Sequence, residues 1–298
     1  MKYFTDREDV ALVIAALVVG LIAFDGILCV IYAIRRQAIT AGKSELIFAE
    51  KWSLVDPWIA AHLLLAAFIP VIFVIGVALA LTGQTSINEK QLMESLPIVG
   101  LITLVQFVLL TGLPIFFITA KYGVPIREIG LRKPTRKPVS VGLMAGFGVL
   151  IFSHVLEWMM ILLLTALVGP ENLKHITDAT KNLTAEKYLT QRMSFGVFIG
   201  ALIAAGVLAP ISEEIFFRGF LFNCAKRRLG IVGGIILTSA IFALVHLGPL
   251  AIMIIFPMGI FLALAYELTG SLWVPIIMHA VNNSIAVTAA YLMTSVLK

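Results

Sequence analysis

Charge is scarce in these 298 residues: Asp, Glu, Lys and Arg make up 13% of the chain, whereas 60% is hydrophobic and the mean hydropathy is +1.02. Soluble domains are about half apolar, so this composition excludes one and points to a polytopic membrane protein. Cysteine is scarcer still. Cys29 and Cys224 are the full complement, too few for a disulfide framework or a cysteine metal site. No His-Glu-x-x-His occurs, no internal repeat or low-complexity tract stands out, and the longest polar loops are too short to be a soluble domain.

What is present is a series of apolar runs, each close to the roughly 20 residues that cross a bilayer. They are read at 10–34, 58–82, 97–120, 139–168, 195–223, 231–247, 249–267 and 272–296. The expectation is an all-α membrane helix bundle of about eight spans in a single membrane domain, 1–298. Within it, helices over about 10–168 form a scaffold and the chemistry lies in about 195–296. The N-terminal segment has a weak basic region and no Ala-x-Ala end, so it is expected to be retained as the first span.

The net charge of +5 is a topology signal rather than a sign of nucleic-acid binding. Loops 35–57, 121–138 and 224–230 hold thirteen Lys and Arg, and the N-terminus, loops 83–96 and 169–194 and Lys298 hold eight. By the positive-inside rule the first group faces the cytoplasm and both termini face outward, in a multi-pass protein of the cell membrane.

Three polar features of the first half read as structural. Asp25 lies inside the first span, where a buried hydrogen bond accounts for it. His154 and Glu157 share a helical face and can pair with each other, or support a site from behind. His62 lies near a helix end at the membrane interface. Gly142 and Gly146 form a Gly-x-x-x-Gly face suited to close helix packing.

The second half carries charge at membrane depth, which is costly and usually functional. In Ser212-Glu213-Glu214-Ile215-Phe216-Phe217-Arg218, Glu214 and Arg218 are four apart and stack on one helical face, neutralising each other. Glu213 points about 100° away and is left free to act as a base in a poorly solvated cavity. Pro210 interrupts the backbone hydrogen bonds just upstream and is expected to widen the helix there. His246 follows Phe242 by four residues near a helix end. His279 and Asn283, also four apart, present an imidazole and an amide on one face, donors that suit an oxyanion. Singly, each has a structural reading: a salt bridge with a spare glutamate, an interfacial histidine, a bundle hydrogen bond. Together, within about 70 residues of one another, they ask for a common explanation.

Glu213-Glu214-x-x-x-Arg218, Phe242-x-x-x-His246 and His279-x-x-x-Asn283, in that order, resemble the three motifs of the CAAX prenyl protease and bacteriocin-processing (Abi) family of intramembrane endopeptidases. The Gly-rich helix after Phe256 and the Thr269-Gly270-Ser271-Leu272-Trp273 turn are similar too. The resemblance covers about 200–290. It implies hydrolysis of a peptide bond in a membrane-associated, prenylated or leader-type substrate, by water rather than by a covalent nucleophile. Glu213 would be the general base and His246 would hold and polarise the water. His279 and Asn283 would stabilise the oxyanion, and Glu214 and Arg218 would maintain the site. Zinc on Glu213, His246 and His279 is an alternative; the metal-free reading is preferred, because it employs every motif residue, and no cofactor is expected. The implied partners are the bilayer and a peptide substrate; oligomeric state is not constrained.

At about 1.5 Å per residue, Glu213 lies roughly 15 Å and His279 roughly 10 Å from the expected cytoplasmic ends of their spans, but His246 lies roughly 22 Å from its own. A tilted sixth span, one that begins within the membrane, or a different boundary near 231 would bring them together. Two rival functions remain: a transporter or channel built on intramembrane charge, which predicts inverted repeats not seen here, and a non-catalytic immunity or scaffold protein of the same fold.

Overall fold

The computed structural model describes residues 53–64, 96–174, 193–246 and 249–296, and every regular element among them is helical. A helical segment at 55–64 (α1) is followed by Leu96–Phe116 (α2), extended by a π-turn Phe117–Lys121, and by Arg136–Val168 (α3). Next comes α4, which alternates between α and π geometry: Phe195–Ile203, Ala204–Leu208 (π), Ala209–Glu214 and Ile215–Phe222 (π). Asn223–Leu244 (α5), Pro249–Thr269 (α6) and Trp273–Tyr291 (α7) complete the order, with a terminal π-turn Leu292–Val296. Residues Trp52–Lys298 cluster as one compact unit.

Five helices among the described residues are long and apolar enough to cross a membrane: Ile102–Lys121, Arg136–Val168, Phe195–Leu244, Ile252–Thr269 and Trp273–Val296. They correspond to six of the eight expected spans. The fifth and sixth are read as one 50-residue helix, although Gly230, at φ 71° and ψ 176°, breaks it where a turn was expected. The first expected span, with Asp25, and most of the second lie outside the described residues.

The wide turns of α4 have a local cause. Pro210 offers no N–H to the carbonyl one turn earlier, and the turn just before it, Ala204–Leu208, bonds i to i−5 instead, with Ala209 N–H reaching Ala204 O. The widening therefore falls upstream of Pro210, and a second wide turn follows the glutamates. A carbonyl freed this way is met from α7: Asn283 Nδ2 donates to Ala205 O at 2.9 Å. α7 can approach so closely because Gly206 has no side chain; a Cβ there would lie 2.6 Å from Ser284 Oγ.

Within a bilayer, helix association depends on close packing more than on solvent exclusion, and glycine supplies that closeness at two more contacts. Gly142 and Gly146 of α3 face α7, where added Cβ atoms would meet Ile277 Cβ at 2.8 Å and Val281 Cβ at 3.1 Å. Asn282 fastens the same seam by donating to Gly146 O at 3.2 Å. Gly259 of α6 lies against Ser239 of α5, whose Cβ would be 3.0 Å from an added methyl. The Gly-x-x-x-Gly expectation is thus met, with α7 as the partner helix.

A polar knot ties α1 to the end of α2. The Asp56 carboxylate, 1% exposed, accepts from Tyr122 Oη and Lys121 Nζ, both at 2.5 Å. Burial and the bond to Asp56 raise the Tyr122 pKa far above a phenol's ordinary range, so it stays a donor. At the same end, Trp273 Nε1 donates to Arg132 O at 2.6 Å, pinning the start of α7 to the connection before α3.

Candidate active site

Glu214 is the pivot of the buried polar cluster. Its side chain is 0% exposed, and a single oxygen, Oε1, accepts from Arg218 Nη1 at 2.7 Å and from His279 Nδ1 at 3.0 Å. The first contact is the i,i+4 pair expected from helical spacing. The second joins α4 to α7 across 65 residues of sequence. Arg218 is itself buried, donates from Nη2 to Gly259 O at 3.1 Å, and lies with Cζ 4.5 Å from the centroid of the Phe242 ring. A guanidinium held by a carboxylate, a carbonyl and an aromatic face has part of its desolvation offset.

Glu213 turns elsewhere, as the helical geometry requires. Its side chain is 14% exposed, and Oε2 faces His279 Nε2 at 3.9 Å. That is too long for a hydrogen bond, yet a single oxygen atom can bridge such a gap at about 2.8 Å from each side. Glu213 Oε2, Glu214 Oε2 and Arg218 Nε are buried without a hydrogen-bond partner among the described residues. Buried polar atoms are nearly always satisfied, and three orphans in one cluster mark a site arranged for something other than its own stability.

Phe242 occupies the level where His246 was expected. Its ring lies 5.6 Å from His279 and 5.0 Å from Phe217, so the depth mismatch along α5 is taken up by the aromatic residue one turn earlier. His246 sits beyond it, half-buried at the helix end, its ring 4.9 Å from Phe242. Its Nδ1 lies 2.6 Å from Phe242 O; because a carbonyl only accepts, Nδ1 is the donor in this bond and Nε2 takes no part in it. No ion pair or hydrogen bond joins His246 to Glu213 or His279 among the described residues. Phe242 is the connection between them.

Asn283 departs from the expected pairing. Its amide donates to Ala205 O, so one N–H secures the wide turn of α4, and no hydrogen bond from the other is found among the described residues. Asn282, which sequence reading passed over, is the buried member of the pair and serves the α3 seam. His154 Nδ1 and Glu157 Oε2 do pair, at 3.4 Å, but with 68% and 47% of their side chains exposed they do not back the site. His62 Nδ1 hydrogen-bonds with Trp58 O at 2.8 Å. Among the described residues no group of three or more His, Cys, Asp or Glu is arranged to hold a metal ion.

Comparison with known proteins shows what the segment holding this site is similar to. Residues 195–285 match the type II CAAX prenyl endopeptidase Rce1-like family, a segment that contains all three motifs. The putative membrane peptidase YdiL of Bacillus subtilis (strain 168) is 30% identical over 86 residues, 29% of this chain and 35% of that protein. The membrane-embedded CAAX protease MroQ of Staphylococcus aureus (strain USA300) is 29% identical over 204 residues, 66% of this chain and 76% of that protein. The chain thus spans about a third of the Bacillus relative and about three quarters of the staphylococcal one. No solved structure matches.

Proposed function

We propose that this chain, whose residues 195–285 match the Rce1-like CAAX endopeptidase family, is an intramembrane endopeptidase that hydrolyses a peptide bond in a prenylated or otherwise membrane-anchored peptide. The observation that carries the reading is the division of labour between adjacent glutamates. Glu214 is consumed by Arg218 and His279, whereas Glu213 has an unpartnered oxygen beside His279 Nε2.

In this reading Glu213 takes a proton from water as the water oxygen attacks the scissile carbonyl carbon, and returns it to the departing amine. His246, with its Nδ1 proton fixed on Phe242 O, presents Nε2 to orient that water. The tetrahedral oxyanion is met by His279, donating from Nε2 when doubly protonated, and by the amide N–H of Asn283 that Ala205 does not use. Glu214 and Arg218 act through His279, holding its ring and supplying balanced charge.

A metal fits these donors poorly. Of the three donors that zinc would use, Glu213 and His279 are close, but the Phe242 ring lies between His279 and His246, and among the described residues the three do not form a group arranged to hold a metal ion. The proposed reaction is metal-free.

The test is cleavage of prenylated and unprenylated membrane peptides by the purified protein in proteoliposomes. Glu213→Gln should lower the rate by about 10²–10⁴-fold, the range for general acid–base catalysis, and a strong chelator should leave the wild-type rate unchanged. Undiminished cleavage by Glu213→Gln overturns the assignment of the base. Loss on chelation with recovery on added zinc overturns the metal-free reading.

A further inference from the structure

A second polar concavity lies at the end of the bundle where α4 passes into α5. It has a volume of about 300 Å³ and is lined by Val124, Glu128 and Ile129 from the connection before α3 and by Asn223, Lys226 and Arg227 from the α4–α5 turn. None of the proposed catalytic groups lines it. Its cation is held in place: Lys226 Nζ pairs with Glu267 Oε2 at 2.7 Å and lies 5.3 Å from the Phe222 ring centroid. The adjoining loops are basic: residues 121–138 and 224–230 hold nine Lys and Arg against Glu128, with Glu267 reaching Lys226 from α6. Beside the basic triplet 226–228, Leu229, Ile231 and Val232 are exposed.

We propose that this pocket binds the phosphate of an anionic phospholipid headgroup. The helix ends place it at headgroup level, Lys226 and Arg227 supply the charge that a phosphodiester needs, and the exposed Leu229, Ile231 and Val232 give the acyl chains an apolar wall. Topology alone accounts for basic loops, but not for a pocket that fixes a lysine beside an apolar strip. The apolar strip also favours a lipid over free phosphate, which would gain nothing from it.

The pocket is wired to the buried cluster. Asn223 Nδ2 reaches Arg218 O at 3.1 Å and Gly219 O at 2.9 Å, carbonyls of the wide turn that carries the arginine, and also Tyr266 Oη at 2.9 Å. A headgroup seated there braces that turn. The lipid site itself stands whether or not the chain is a peptidase.

The experiment measures Tm of the full-length protein in phosphatidylcholine vesicles, in the same vesicles with phosphatidylglycerol, and in phosphatidylcholine with inorganic phosphate. Phosphatidylglycerol is expected to raise Tm and inorganic phosphate to leave it unchanged. Lys226→Gln with Arg227→Gln should abolish most of that rise, with lipid affinity falling roughly fivefold per cation removed. A charge-matched control outside the pocket, Lys133→Gln with Lys137→Gln, should keep it. Arg227→Gln alone and Glu128→Gln leave the Lys226–Glu267 pair intact, so they carry the test if the double variant does not fold; the first should reduce the rise and the second enlarge it. No rise with phosphatidylglycerol, an equal loss in the control, or a full rise with inorganic phosphate overturns the proposal.

Discussion

Glu213 and Glu214 are neighbours on one helix, and what distinguishes them is their surroundings. Replacing Glu214 by Gln leaves the Arg218 guanidinium buried without a counter-charge, which costs about 3–5 kcal/mol when one partner of a buried pair is lost. The expected result is a large fall in Tm together with lost activity. Glu213→Gln removes no hydrogen bond to Oε2, only its 3.9 Å approach to His279 Nε2, and should leave Tm nearly unchanged while cleavage falls steeply; thermal unfolding of both variants in one detergent checks the contrast. Phe242→Leu is expected to act between these extremes. It removes the ring that touches Arg218, His279 and His246, so the rate should fall, with a core-truncation cost of about 1–3 kcal/mol in stability.

At the scale of helices, the proposed catalysis depends on how closely α7 lies against α3 and α4. Gly146→Val should force α7 away from its seam, costing about 1–3 kcal/mol by overpacking. It should also lower cleavage by up to about 10²-fold through displacement of His279. Gly148 faces open space, and Gly148→Val should leave both Tm and rate near wild type; the two variants assayed side by side separate the seam from helix propensity. The Glu214–Arg218 pair and the small-residue face of α3 were legible because both follow from the helical repeat alone. The partner of that face, and the Glu214–His279 contact, depend on the relative register of separate helices, which no local spacing encodes. The wide turns shift α4 in ways the sequence only hints at through Pro210, so of the two readings of Asn283, oxyanion donor and bundle hydrogen bond, spacing alone could not say that one amide N–H fastens Ala205. Depth counted along ideal helices put His246 at odds with the other groups, because nothing in the chain announced that Phe242 would fill that level.

For the whole molecule, the charge asymmetry and the position of the site give one expectation. The end carrying 226–228 should face the cytoplasm, and a hydrated path to Glu213 should open there, since base and substrate must meet in a region the bilayer would otherwise keep dry. Single cysteines at 226–228, in a background lacking Cys29 and Cys224, should be shielded from an impermeant thiol reagent in intact cells and labelled after the membrane is opened; labelling from outside would reverse the orientation. The central claim, that Glu213 drives peptide-bond hydrolysis in the membrane, is tested most directly by mass spectrometry of new peptide termini in membranes that contain either the wild-type chain or Glu213→Gln. A defined set of membrane-anchored peptides is expected to be cut by the wild type and to accumulate whole with the variant at equal protein level. Identical termini in the two membranes would contradict it.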